Sequence, residues 1–466
     1  MAVNSNKNRL YFENDCSTLP ISRDGKILLL LFVIILFGPY LPHFDPLPGR
    51  VRLDHLLLPG LGILIFSRSV VKGEIHVSSY IMVYVALLLW FLSITVVITI
   101  YPSIKYVSPT ISVIAALDSY LRPLIILFIV ANMRVGKTEL VAVVRLILLA
   151  SLPLFIIGIL QLVPATKSTI NEILVTLYNN DRATGGSGYK HFYDVLGGGR
   201  VMSIFWQVST FGMFAILCLG LLIAQFIGVR IIKSRAITYL IFLFTIIGGV
   251  ISGSKVFTGG IIILAILTVI STRVRRHLIR PKNIILAIVT IILFSLLLSY
   301  VFPRAYYLFT ARFEPTSLIS RYGSGRFWAS DIPGLAPKVV RTGAVDIFKN
   351  NPVAGLGLTV ANRTTDSFLF GILIMGGAIG GFLFLLFMGI ICRKLLSIAR
   401  RHPDKTVASL SLVMLFLTIV FFVAALAFHS FIQDRVGDAY WLIVGLLFSA
   451  GSRNKEHTEL CHEEIQ

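Results

Sequence analysis

Residues 302–365, FPRAYYLFTARFEPTSLISRYGSGRFWASDIPGLAPKVVRTGAVDIFKNNPVAGLGLTVANRTT, form a long polar interruption between two apolar runs, 283–301 and 367–391. Both of its ends are tied to hydrophobic segments, which holds the stretch at a membrane surface. It carries Arg304, Arg312, Arg321, Arg326, Lys338, Arg341, Lys349 and Arg363 against Glu314, Asp331 and Asp346. A basic loop in that position is a natural place for chemistry on an anionic, membrane-anchored substrate.

The surrounding composition requires a membrane. Hydrophobic residues make up 56% of the chain and charged residues 14%, with a mean hydropathy of +0.86, whereas soluble domains are about a quarter charged. A helix crosses the hydrocarbon core with about 20 mostly apolar residues. About twelve stretches qualify: 27–42, 56–71, 78–101, 119–133, 139–164, 201–227, 236–253, 256–271, 283–301, 367–391, 407–428 and 439–451. These runs are continuous, without the alternation of lipid-spanning strands, so helices are expected rather than a barrel. The reading is an all-α polytopic membrane protein of about twelve transmembrane helices with a large, partly helical outer loop. Its parts are a tail at 1–26, helices over 27–301 with an outer loop at 164–200, the large loop at 302–366, helices over 367–451 and a tail at 452–466.

A net charge of +20 would suit nucleic acid, but its distribution argues against that partner. With the N-terminus in the cytoplasm, the short loops on that side hold Arg68 and Lys72; Arg134 and Lys137; Arg230, Lys233 and Arg235; Arg273, Arg275, Arg276, Arg280 and Lys282; and Arg393, Lys394, Arg400, Arg401 and Lys405. This positive-inside pattern puts both termini in the cytoplasm and the large loop outside. Topology does not explain the cations of that outer loop, which call for an anionic ligand or internal partners. The polar start leads into the first helix with no small-residue cleavage site behind it, so that helix is expected to stay. Cys16, Cys218, Cys392 and Cys461 lie in tails or apolar runs and suggest no disulfide framework. Cys461 with His457 and His462, beside Glu463 and Glu464, reads as a solvated tail rather than a metal cluster, and no cofactor is expected.

Three further outward segments carry information. In 164–200, Ile170, Ile173, Leu174 and Leu177 recur at helical spacing, and Thr169 with Glu172 can form a capping box, which predicts an interfacial amphipathic helix. Gly197-Gly198-Gly199-Arg200 then brings a cation to the mouth of the next helix, where it either snorkels or binds. Ser252-Gly253-Ser254-Lys255 is a tight turn whose small residues permit close helix approach and leave Lys255 at the interface. In the segment 429–435, His429 ends a helix and Asp434 can partner Arg435. Within the apolar runs, Arg122 has Asp118 one turn before it, and Arg145 can snorkel inward. No nucleotide-binding loop occurs, which argues against an ATP-driven pump.

Toward the end of the large loop, Val345-Asp346-Ile347-Phe348-Lys349-Asn350-Asn351-Pro352-Val353-Ala354-Gly355-Leu356-Gly357-Leu358 resembles the signature of the O-antigen polymerase and O-antigen ligase superfamily, in which a short helix leads into N-P-x-x-G-x-G. Asp366-Ser367-Phe368-Leu369 followed by Gly376-Gly377-Ala378-Ile379-Gly380-Gly381 is similar to that family's next elements. Arg200 with Ser203, Phe205 and Phe211 resembles its arginine at the head of a middle helix. Ser254-Lys255 falls where a Ser-Arg or Ser-Lys pair is common, and Gly325-Arg326-Phe327-Trp328 resembles its Arg-aromatic element. Ligases characteristically carry histidine at the position of Asp366, which tilts the resemblance toward a repeat-unit polymerase.

The resemblance implies a metal-independent, inverting glycosyltransferase acting on oligosaccharide linked to undecaprenyl pyrophosphate, at the outer face of a bacterial inner membrane. In that reading Asp366 is the general base. Arg200 and one of Arg326 or Arg341 stabilise the pyrophosphate, and Lys255, Lys338, His429, Arg435 and Arg122 line the substrate. A chain-length regulator and a flippase are the implied partners. The alternatives are a ligase that transfers polymer to lipid A core, and a flippase, whose cations would line a cavity among the helices.

Overall fold

The computed structural model describes residues 23–37, 43–44, 51–73, 75–100, 110–133, 135–179, 201–205, 207–227, 229–271, 348–349, 351–360, 367–426, 428–432 and 435–463. Twelve α-helices lie among them. They are α1 (Arg23–Phe37), α2 (Leu53–Lys72), α3 (Ser79–Ile100), α4 (Thr110–Ala131), α5 (Lys137–Leu160), α6 (Pro164–Asn179), α7 (Val208–Phe226), α8 (Arg235–Ile251), α9 (Lys255–Ile270), α10 (Phe368–Arg401), α11 (Lys405–Ala424) and α12 (Val436–Glu463). A two-residue antiparallel ladder, β1 (His43–Phe44) with β2 (Val51–Arg52), joins α1 to α2.

Five helices, α3, α5, α7, α10 and α11, are long and apolar enough to cross a membrane, and α8, α9 and the first part of α12 are shorter apolar helices. The run 283–301 and most of the large loop lie outside the described residues. Apolar side chains left on the outside need lipid to cover them. On α3, Met82, Leu89 and Val96 recur every seven residues and expose 58%, 57% and 55% of their surface. α7 is buried almost all round, which makes it the central helix on its side. α6 begins at Pro164, where a missing N–H is harmless, so Thr169 lies inside the helix rather than at its cap. Its buried positions include Asn171 and Leu174, while Ile173 stays exposed.

Ring and hydrogen-bond contacts give the helix directions. Tyr84 meets Phe387 and Trp90 meets Gly376, so α3 and α10 run antiparallel. Arg122 meets Asp438 and Val130 meets Gly445, so α4 and α12 run parallel. Phe368, Phe384, Phe421, Phe431, Tyr440 and Trp441 form one connected aromatic core between α10, α11 and α12.

One end of the bundle is stitched by polar contacts among its helix ends and loops. Arg68 pairs with Asp24 at 2.8 Å, His76 donates its amide to Asn132, Ser449 reaches the carbonyls of Met133 and Val135, and Lys394 sits over the rings of Tyr80 and Phe448. Arg145, expected to snorkel, donates to the Ile231 carbonyl at 2.7 Å. Lys137 pairs with Asp404 at 2.6 Å. Burial pushes the Asp404 carboxyl up, but the Lys137 ammonium and the amides of Val407 and Thr406 outweigh it and leave it below its ordinary value. Exposed Lys72, Arg230, Lys233, Arg235, Arg400, Arg401 and Lys405 crowd this same end.

Candidate functional site

The opposite end collects the short segments whose sequences carry the motifs above. Ser203 has a left-handed backbone (φ +53) and is fully buried. Its amide donates to the Gln161 side-chain oxygen at 2.9 Å and its hydroxyl to the Leu154 carbonyl at 2.5 Å. These bonds pin the segment 201–205 against the end of α5. Phe205 and Phe211, both part of the resemblance, stack on each other with centroids 5.7 Å apart. Phe211 also packs over Gly158, where an added Cβ would meet its ring at 3.0 Å.

Arg435 reaches this segment from the other side. Its Nη1 donates to the Ile204 carbonyl, its guanidinium lies 5.7 Å from the Phe205 ring centroid, and it is 4% exposed. Arg435 and Ser203 are the two non-glycine residues of positive φ among the described residues. Arg435 bonds the residue that follows Ser203, and unfavourable backbone conformations of this sort gather at functional sites.

The turn between α8 and α9 approaches from α7. Ser252 caps α8, Gly253 takes φ +57, and Ser254 caps α9 by accepting from the Val256 amide. Gly212 on α7 lets Ser254 come so close that a Cβ on Gly212 would lie 2.5 Å from it. This is the close approach that the small residues predict. Lys255 then stands exposed in the first turn of α9, where a cation opposes the helix dipole and adds to a positive potential.

Ser367 supplies the N-cap of α10, accepting from the Phe370 amide, and its hydroxyl donates to the Ala425 carbonyl at 3.1 Å. Leu369 donates to the same carbonyl. That joins the start of α10 to the end of α11, which stops at Ala424, so His429 lies beyond the helix rather than at its last residue. His429 is half-buried, with its ring edge-on to Phe368 at 6.4 Å. Arg122 is 2% exposed and gives both Nε and Nη2 to one oxygen of Asp438, at 3.1 and 2.7 Å. Asp438, 316 positions away, is a partner that spacing along α4 does not reveal.

The last part of the site is the stretch 351–360. Gly355, Leu356, Gly357 and Leu358 are buried against α3 and α10. At about 1.5 Å per residue, Gly376 stands roughly 12 Å below the start of α10, and Thr95 roughly 8 Å below the end of α3. The stretch therefore dips back among the helices. It does so at a break in α10, where Gly377 leaves the helix with φ +61 and ψ −157. The amides of Ala378 and Ile379 donate to the carbonyls of Pro352 and Val353, at 2.7 and 3.3 Å, and the Leu356 amide donates to the Ile374 carbonyl at 2.8 Å. Leu358 donates to the Thr95 hydroxyl at 2.8 Å, and Trp90 Nε1 to the Gly376 carbonyl at 2.9 Å. A Cβ on Gly355 would lie 2.5 Å from the Gly377 backbone and one on Gly357 2.5 Å from Thr95. These contacts explain why those positions are glycine.

Of the residues named from sequence, Lys255, His429, Arg435 and Arg122 are described at or near this end. Asp366, Arg200, Arg326, Arg341, Lys338 and the Asp434 partner lie outside the described residues. Val201 and Ser367, the described residues that follow Arg200 and Asp366 in sequence, are both buried. Sequence reasoning missed Asp438, Gln161, Trp90 and Thr95. An acid in the first turn of an apolar helix, and a threonine inside a span, were the available signals. Among the described residues no group of three or more His, Cys, Asp or Glu is placed to hold a metal. No family model matches this chain, and no curated protein matches it.

Proposed function

We propose that this protein is a membrane glycosyltransferase that polymerises oligosaccharide repeat units carried on a polyprenyl pyrophosphate, at the outer face of a bacterial inner membrane. The observation that carries the reading is the interlock of two separate motifs. The N-P-V-A-G-L-G stretch and the G-G-A-I-G-G stretch, each singled out by resemblance, bond to one another through their backbones. The basic loop thus returns to the bundle through a built joint on the same helix, α10, whose N-cap directly follows Asp366.

The chemistry follows from the substrate. The acceptor sugar hydroxyl attacks the anomeric carbon of the lipid-linked donor. The bond from that carbon to the phosphate oxygen breaks, its electron pair leaves on the polyprenyl pyrophosphate, and attack opposite the leaving group inverts the centre. Asp366 takes the hydroxyl proton. Arg200 and one of Arg326 or Arg341 meet the charge growing on the pyrophosphate, with Lys255 and Lys338 as further cations for the substrate. Arg435 and Arg122 act from below: one ties the segment after Arg200 to the segment after His429, the other locks α4 to α12. His429 is the second candidate for contact with the acceptor. The lipid is held by the apolar helix faces, and a chain-length regulator and a flippase are the natural partners.

Replacing Asp366 tests the reading. Ser367 caps α10, so Asp366→Asn leaves that cap intact and removes only a carboxylate base. Polymer formation from purified lipid-linked repeat units should be abolished at matched protein level. Full activity would remove Asp366 from the mechanism. In cells, a deletion strain should show a single capped repeat unit, whereas long polymer left on the carrier lipid would mean a ligase.

A further inference from the structure

We propose that the re-entrant stretch 352–358 is the positioning element of the reaction, with Trp90 and Thr95 as positioning residues that set where the basic loop returns to the bundle. The inference rests on the glycosyltransferase reading above.

A break in a membrane helix leaves backbone groups without water to satisfy them, and such backbone is tolerated only where protein covers it. Here the cover comes from the loop itself. Pro352 and Val353 satisfy the amides just beyond the break, Leu356 satisfies a carbonyl just before it, and Trp90 satisfies the Gly376 carbonyl beside it. The broken helix and the inserted stretch therefore require each other.

The register of the insertion is set by sterics as well as hydrogen bonds. A slip by one residue would move Ala354 or Leu356 into the place of Gly355, against backbone 2.5 Å from where a Cβ would sit, and would move Leu358 or Leu356 against Thr95. Thr95 uses its hydroxyl twice, donating to the Phe91 carbonyl at 2.7 Å and accepting from Leu358 at 2.8 Å. A continuous helix would fill the same space with fewer demands. A break matched to a returning loop is what placement of that loop requires, and displacement of a reacting group by about 1 Å can lower a rate on the order of 100-fold.

The test uses full-length protein reconstituted in liposomes with a polyprenyl-pyrophosphate-linked repeat unit, and compares Thr95→Val, Thr95→Ser and Trp90→Phe with wild type. Valine keeps the shape of Thr95 and removes the bond to Leu358, while serine keeps the hydroxyl. Per folded molecule, kcat should fall about 10- to 100-fold in Thr95→Val, with KM for the lipid-linked donor unchanged, and Thr95→Ser should recover most of the loss. Should Thr95→Val not fold, Trp90→Phe, which removes the indole N–H while keeping an aromatic ring of smaller size, is read in the same way. Wild-type kcat per folded molecule in the variants, or a loss confined to the amount of folded protein, would overturn the positioning role and leave the reaction standing. A wild-type protein that elongates no lipid-linked glycan would instead bring down the reaction, and this role with it.

Discussion

The two ends of this bundle handle charge in opposite ways. At the basic end Lys137 is exposed and its partner Asp404 part-exposed, while Arg68 reaches from a part-exposed position to the buried Asp24, so that both pairs join neighbouring elements near the surface. At the opposite end Arg122, Asp438 and Arg435 are all buried, each within 4% of full burial. Exposed ion pairs are worth little, about 0–1 kcal/mol, because water serves either charge nearly as well. Buried charges cannot fall back on water, so their geometry is fixed and their loss is severe. Exposed cations of the first kind are those that the positive-inside pattern counts; the second arrangement builds a rigid frame at the end that holds the candidate site.

The sharpest way to break the comparison is to ask which end faces out. In a variant without its native cysteines, an impermeant thiol reagent should label Ser187→Cys and Ser324→Cys in intact cells and leave Ser271→Cys and Ser397→Cys protected until the membrane is opened. External labelling of Ser271→Cys would reverse the orientation and put the proposed site in the wrong compartment.

Next in size is the buried pair. Asp438→Ala takes a carboxylate away from the buried Arg122 guanidinium and should destabilise the protein by about 3–5 kcal/mol, read as thermal unfolding in detergent. The double replacement Arg122→Met with Asp438→Leu should recover most of that loss, because removing both charges also removes their desolvation. A single Asp438→Ala variant as stable as wild type would mean that the buried end is not held by this pair.

The smallest effect belongs to the basic end. Lys137→Met should cost no more than about 1 kcal/mol, and less at high salt. The Asp404 carboxyl titrates below its ordinary value in the folded protein, so its contribution is fully present above the unfolded carboxylate pKa of about 3.9 and is lost as pH falls through the folded value. Asp404→Asn, which keeps a capping side chain, should therefore be less stable than wild type at neutral pH and converge with it only as pH falls through the lowered folded value. A gap that persists undiminished in acid would assign the effect to packing rather than to the charge.

Much of the fold was legible because hydropathy is a local sum. The runs over 78–101, 139–164, 236–253, 256–271 and 407–428 each fall on a helix within a few residues of the expected bounds. Boundaries were harder where polar and apolar signals overlap. The capping-box pattern at Thr169 gave way to Pro164, whose ring starts a helix on its own. Most of the charged candidates in the large loop remain expectations from sequence, since 302–347 lies outside the described residues. The site's scaffold was half visible: Ser203, Phe205, Gly355, Gly357 and Gly377 stood in recognisable motifs, but nothing in those motifs said what each residue touches.

Sequence alone determined that this chain belongs in a membrane, that its helices are separated by one long basic interruption, and that its remaining cations gather in alternate loops. These properties depend on which residues stand near one another along the chain. Only the tertiary structure decided that Arg122 meets Asp438 across 316 positions, that Trp90 meets Gly376 across 286, and that Arg435 closes on the segment after Arg200. It also decided that Gly377 breaks its helix to receive the returning loop. A glycine pattern permits such a break, but the break is stable only when a distant stretch arrives with the amides and carbonyls that satisfy it.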